Sequence, residues 1–161
     1  MTDFLTSRTQ EHGGNSGISA RLMPHGLAAL RIVSGLLFIE HGTQKLFGFP
    51  APAHGLSPLL SLMGIGGGLE IVGGLLLVLG FQTRLVAFIL SGEMAVAYFI
   101  AHAPRSFFPV LNGGDAAILF CFVFLLFVFA GSGSLSIDTL MQKRRAARPT
   151  YPSIVGEPTG I

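Results

Sequence analysis

Four apolar stretches, about Leu27 to Phe47, Ser61 to Gly80, Leu85 to Ala101 and Ala116 to Ala130 with some extension, alternate with short polar or proline-bearing breaks. Each approaches the roughly 20 residues that cross a hydrocarbon core at about 1.5 Å of rise per residue, so each is expected to be a transmembrane helix. Gln82-Thr83-Arg84 leaves room only for a tight hairpin between the second and third. The other two breaks carry Pro50, Pro52, Pro58, Pro104 and Pro109, which stop helices. The expected fold class is all-α integral membrane: a four-transmembrane-helix bundle at 23–140, between a disordered polar N-terminal tail, 1–22, and a basic tail, 141–161.

Orientation follows from lysine and arginine in the flanks. Arg8, Arg21, Arg84, Lys143, Arg144, Arg145 and Arg148 fall on one side and Arg105 on the other, so both termini are expected to be cytoplasmic. Arg31-Ile32-Val33 precedes Glu40 by the same nine residues that separate Arg84-Leu85-Val86 from Glu93, a faint sign of a parallel repeat that would set both carboxylates at one depth.

Composition supports a lipid-facing chain. Half of the 161 residues are hydrophobic and 11% are charged, and the mean hydropathy is +0.66. A soluble domain of this size would expose large apolar patches. The basic C-terminal segment lacks interleaved aromatics, which argues against nucleic acid and for a membrane surface. One cysteine, Cys121, excludes an intrachain disulfide or CxxC pair and reads as a packing residue among phenylalanines. The polar N-terminus lacks the basic-then-apolar order of a signal peptide.

The candidate chemistry lies inside the apolar runs. Leu36 to Phe49 carries Glu40, His41, Gln44 and Lys45, where hydrocarbon-facing residues belong. Glu93 lies about 13 Å of helix rise beyond Arg84, and Glu70 lies ten residues before Gly80 on the antiparallel helix, so both sit near mid-depth. At 100° per residue Arg31, Ser34, Phe38, His41 and Lys45 form one stripe, with Glu40 and Gln44 beside its outer part. An ionised group at the bilayer centre costs about 2.5–3.5 kcal/mol, so this flank is expected to face the bundle interior. His102 and Asp115 bound the outer ends of the third and fourth helices. The expected result is an outward-opening pocket of Glu40, His41, Lys45, Glu70, Glu93, His102 and Asp115.

Structural readings compete at several of these positions. Polar side chains also fix helix register, Arg31 taken alone reads as a snorkelling anchor, and Asp115 as a helix cap. Gly66, Glu70 and Gly74 line one face, which points to close helix packing; the glycine spacing fits no nucleotide loop. A bis-histidine haem between His41 and His102 is disfavoured without a CxxCH motif, and no metal site is expected.

A set of motifs resembles the DoxX family of small four-helix bacterial membrane proteins. They are Arg31 with Gly35; His41-Gly42-x-x-Lys45-x-x-Gly48; Glu70-x-x-Gly73-Gly74 with Gly80 and Arg84; and Gly92-Glu93-Met94-Ala95-Val96-Ala97-Tyr98. His102-x-Pro104, Asn112-Gly113-Gly114-Asp115 and Gly131-x-Gly133-x-x-Ser136-x-Asp138 complete the set, which runs from about His25 to Leu140. Asp115 stands where the family usually has Glu. The resemblance implies a multi-pass protein of the bacterial inner membrane, related to the membrane subunit of a quinone-linked thiosulfate oxidoreductase.

Three kinds of function follow. As a subunit of an oxidoreductase complex, the chain would hold a quinone headgroup. Glu70, Glu93 and His41 would relay protons, and Glu40, Lys45, His102, Arg31 and Asp115 would bind substrate. No flavin, cluster or dithiol motif is present, so a soluble or membrane redox partner would donate electrons. The alternatives are a proton-coupled small-molecule carrier, which with four helices would need a homo-oligomer, and a non-catalytic assembly subunit.

Overall fold

A computed structural model of the chain describes residues 11–51 and 56–147, with side chains from Gly17 onward. Arg8, Pro52 and Arg148, used above to place loops and tails, lie outside the described residues, as do 1–10 and 149–161. Every described element is helical: α1 (Glu11–Phe47), α2 (Leu62–Leu79), α3 (Thr83–Ala97) prolonged by a π-helical turn (Tyr98–His102), the single turn α4 (Pro109–Asn112), α5 (Asp115–Ala130) and α6 (Ile137–Ala146).

Gly17–Phe47, Leu62–Leu79 and Thr83–His102 are long and apolar enough to cross a membrane, while Asp115–Ala130 is apolar but shorter. Their outward faces carry large exposed apolar side chains, among them Val33, Val72, Phe88, Phe99, Phe122 and Phe129. Surfaces of that kind are stable against lipid and not against water, so the chain is a membrane protein.

Two boundaries differ from expectation. Residues 11–22, expected as disordered tail, continue α1, and the boundary expected after Leu140 falls inside α6. Ala20, Leu22 and Met23 are strong helix formers that propagate an already nucleated helix backwards. Pro24 does not end α1. The α5–α6 loop docks beside it, with the Ser134 backbone N–H and hydroxyl donating to the Pro24 carbonyl at 2.9 and 3.1 Å.

The helices associate as two antiparallel pairs, α1 with α2 and α3 with α5, joined mainly where α2 meets α3. Glycine makes the first pairing possible: a Cβ on Gly35 would lie 2.8 Å from the Gly74 carbonyl oxygen, and one on Gly74 would lie 2.7 Å from that of Gly35. Backbones this close gain dispersion contacts along their length, which drives helix pairing in lipid. On the opposite side α1 and α5 touch thinly, through Phe38 edge-on to Phe124 at 4.8 Å and tilted to Phe120 at 5.4 Å. Phe38, Leu77, Leu90, Phe124 and Phe127 form the buried core.

Beyond that core lies Arg31, fully buried. Its guanidinium donates through Nε to Ser132 O at 2.9 Å, through Nη2 to Leu135 O at 2.9 Å, and through Nη1 to Val78 O at 2.9 Å and to Leu77 O. The last carbonyls of α2 and those of the α5–α6 loop lack i+4 helical donors and can accept from it, Leu77 O doing so alongside the Gly80 N–H at 3.0 Å. Asp138 completes this end from the other direction, accepting from the Gln82 and Thr83 backbone N–H groups at 2.8 and 2.9 Å and so capping α3 from another helix. Arg31→Lys keeps the charge but cannot reproduce the planar fork. It is expected to cost about 3–6 kcal/mol, the range of two buried hydrogen bonds from a charged donor, measured by denaturant unfolding in detergent micelles.

Candidate functional site

The second buried cluster is built across the close α1–α2 crossing. Gly42 packs against Gly67 and Ile71, which brings Lys45, one turn further on, over Glu70. Lys45 Nζ donates to Glu70 Oε1 at 2.6 Å, with the two side chains 24% and 2% exposed. This is the only ion pair among the described residues. Glu93 reaches the same layer from α3, its carboxylate lying against Gly66 within electrostatic reach of both Glu70 and Lys45. Glu70 Oε2 and Glu93 Oε2 are both buried without a hydrogen-bond partner in the protein. Two carboxylates and one ammonium therefore share the layer, with two acceptor oxygens uncommitted.

The remaining expected residues are spread around it. His41 lies at the exposed edge of α1, edge-on to Phe120 at 5.8 Å. Its Nδ1 is 2.8 Å from the Leu37 carbonyl. A carbonyl only accepts, so Nδ1 carries the proton and Nε2 is left uncommitted. His102 follows the same logic, with Nδ1 3.1 Å from Asn112 O and its ring stacked on Tyr98 at 6.4 Å. The two imidazoles do not share a level. His41 meets α5 at Phe120, about one and a half turns into that helix, whereas His102 meets Asn112 of α4, before α5 begins.

Glu40 is exposed, on the outer side of α1. Asp115 is also exposed and is the first residue of α5; the cap position itself belongs to Gly114, so Asp115 contributes only charge beside the helix N-terminus. Arg31 lies fourteen residues before Lys45, about 21 Å of rise, and four of its five guanidinium N–H groups are committed to the carbonyls named above. The structure thus brings together Lys45, Glu70 and Glu93, sets His41 beside them, and holds Glu40, His102, Asp115 and Arg31 apart. A cavity of about 710 Å³ opens at the Arg31 end, away from this cluster. Among the described residues no three His, Cys, Asp or Glu side chains gather as a metal site.

Asn112 and Tyr98 organise the end of the bundle away from Arg31 more than their sequence context suggests. Asn112, buried, donates through Nδ2 to Ser106 O at 2.8 Å and accepts at Oδ1 from the Gly114 N–H at 2.7 Å, folding the loop back on itself. Gly114 is needed there because a Cβ would meet Asn112 Oδ1 and the Tyr98 ring, both at 2.6 Å. The π-helical turn starts at Tyr98 and ends at His102, placing that imidazole against the Asn112 carbonyl. Turns of this type are enriched at functional sites. The Asn-Gly-Gly run signals a turn; the π-helical register has no such sequence signal.

Comparison with known proteins is consistent with this arrangement. The DoxX family model matches residues 26–103, which hold α1 from Gly26, α2 and α3 through His102. A Haemophilus influenzae protein, described as uncharacterized, is 45% identical over 129 residues, covering 75% of this chain and 94% of its own. The chain belongs to the DoxX family. A second Haemophilus influenzae relative, also uncharacterized, shares 29% identity over 141 residues, 81% of this chain and 88% of its own. The Escherichia coli inner membrane protein YqjF shares 28% over 134 residues, 74% of this chain and 94% of its own. No solved structure matches this DoxX protein. The matched family region contains Lys45, Glu70 and Glu93 and leaves Asp115 outside.

The Lys45–Glu70 pair is asymmetric, and the asymmetry is measurable. Lys45→Met strands a carboxylate that is 2% exposed, an expected loss of about 3–5 kcal/mol. Glu70→Gln leaves an amine on a flexible stem that can turn toward water, and is expected to cost less than half as much. Parallel unfolding titrations of the two variants compare them, and equal losses would contradict the asymmetry.

Proposed function

We propose that this DoxX protein is a four-helix subunit of a quinone-linked oxidoreductase complex in the bacterial inner membrane, with both termini cytoplasmic. The observation that carries the reading is the pair of buried, uncommitted carboxylate oxygens, Glu70 Oε2 and Glu93 Oε2, beside Lys45. Orientation and location draw on Arg21, Arg84, Lys143, Arg144 and Arg145 gathering at one end against Arg105 at the other, and on the inner membrane name of the Escherichia coli relative.

The residues present suit a quinone headgroup. Lys45 and the Nε2 atom of His41 would hydrogen-bond its oxygens, and the apolar face of Phe120 would flank its ring. A quinone takes up two electrons and two protons on reduction, which supplies the redox chemistry that the chain's own side chains lack. Glu93 would hold a proton at Oε2 and deliver it to the headgroup, and Glu70, held by Lys45, would keep the layer's charge fixed. His102 and Asp115 line the proton's approach from the outer end. Electrons come from a partner subunit carrying a flavin, cluster or dithiol.

A second reading, an assembly role between copies of the chain, draws on Glu40. That side chain is exposed although Gly42, two residues on, packs against the middle of α2, so Glu40 stands at about the level of Glu70. A carboxylate facing lipid there is costly, and a second copy would shield it.

Mass spectrometry of the organic extract from gently solubilised, monodisperse protein is expected to find close to one quinone per chain, lost in Glu93→Gln and in His41→Ala. No quinone in the unaltered protein would overturn the redox reading. If the assembly reading holds, Glu40→Leu shifts sedimentation toward the monomer by tenfold or more in association constant, and an unchanged profile removes it.

A further inference from the structure

We propose that the cavity at the Arg31 end, walled by α1, the α2–α3 hairpin, the α5–α6 loop and α6, binds the phosphate headgroup of an anionic membrane lipid. Its volume of about 710 Å³ lies in the range of sites that hold small organic ligands. It is separate from the Lys45–Glu70–Glu93 layer, which lies about 20 Å further along α1.

The two sides of the cavity differ in chemistry. Met23 and Leu27 of α1 give it an apolar flank continuous with the lipid-facing surface, suited to the start of an acyl chain. Arg84 and Arg145 stand on the polar side. Neither is in an ion pair with any described carboxylate. The one carboxylate on the wall, Asp138, has an oxygen committed to each of two backbone N–H groups at the start of α3. Arg84 spends a single long hydrogen bond, 3.3 Å, on the Val128 carbonyl and keeps its other guanidinium donors. Thr83, also on the wall, is fully buried with a hydroxyl oxygen that has no partner. Two unpaired guanidinium groups, an uncommitted hydroxyl and an adjoining apolar flank at the end of a membrane bundle match a phosphodiester with a diacylglycerol tail.

A water-soluble phosphate would satisfy the same arginines but not the apolar flank. The test separates the two sources. Full-length protein, delipidated in a neutral detergent, is titrated with phosphatidylglycerol and with phosphatidylcholine and followed by native mass spectrometry. The expected result is one phosphatidylglycerol per chain, bound at least tenfold more tightly than phosphatidylcholine. Arg84→Gln with Arg145→Gln is expected to weaken that site on the order of tenfold. Lys143→Gln with Arg144→Gln removes the same charge from the same end outside the cavity wall, and is expected to change affinity by less than about twofold. Both arginines are exposed, so the protein is expected to stay folded; restored binding in Arg84→Lys with Arg145→Lys would support a charge-based site.

Equal weakening by the two double variants would overturn the proposal in favour of general surface charge. Equal affinity for the two lipids would overturn it as well. Full displacement of the bound lipid by millimolar inorganic phosphate would replace the lipid with a soluble anion.

Discussion

One guanidinium holds the fold's ends together. Arg31 sits where α1, the end of α2 and the α5–α6 loop converge, and it donates to four carbonyl groups of those segments. In lipid no water substitutes for those bonds, so the burial of a charge, ordinarily a penalty, becomes the cheapest way to close that end. The rest follows from this constraint. With α1 pinned at one end, the glycine contacts at Gly35 and Gly42 fix its rotation, and that rotation sets Lys45 over Glu70 and leaves Glu40 outside.

The two halves of the protein are therefore held by different means. At the Arg31 end, hydrogen bonds from side chains to distant backbone join three elements, and Asp138 adds a cap across 55 residues. Toward the other end, α1 and α5 meet through a few aromatic rings, and the ionisable layer depends on one ion pair. Few packed groups and uncommitted oxygens are what a proton-handling or ligand-handling layer requires. The same features would weaken a purely structural core.

Much of this was legible in the chain and some was not, for physical reasons. The helical segments could be read because apolar runs of bilayer length are interrupted by proline, and the family could be read from motifs anchored on glycine and charge. Lys45 and Glu70 were expected to face each other because lipid tolerates neither. Arg31 was grouped with the pocket because its partners are backbone carbonyls, which any sequence can supply. Glu40 was assigned inward, yet it differs from Lys45 by 140° around the helix, and the inward face takes only one of them. The N-terminal extension of α1 was read as tail because its polar residues lack an amphipathic period, although periodicity is not required of a helix that continues one already formed.

The sequence separations in the Arg31 clamp also impose an order in time. Its α2 acceptors lie 46 and 47 residues downstream, while those in the α5–α6 loop lie 101 and 104 residues away. During synthesis α1 enters the bilayer with its guanidinium unsatisfied, gains half its partners when the first hairpin closes, and gains the rest only after α5 has been made. The α5–α6 loop is thus the segment that completes the shielding of the first helix's charge, 101 to 104 residues after Arg31 itself is made.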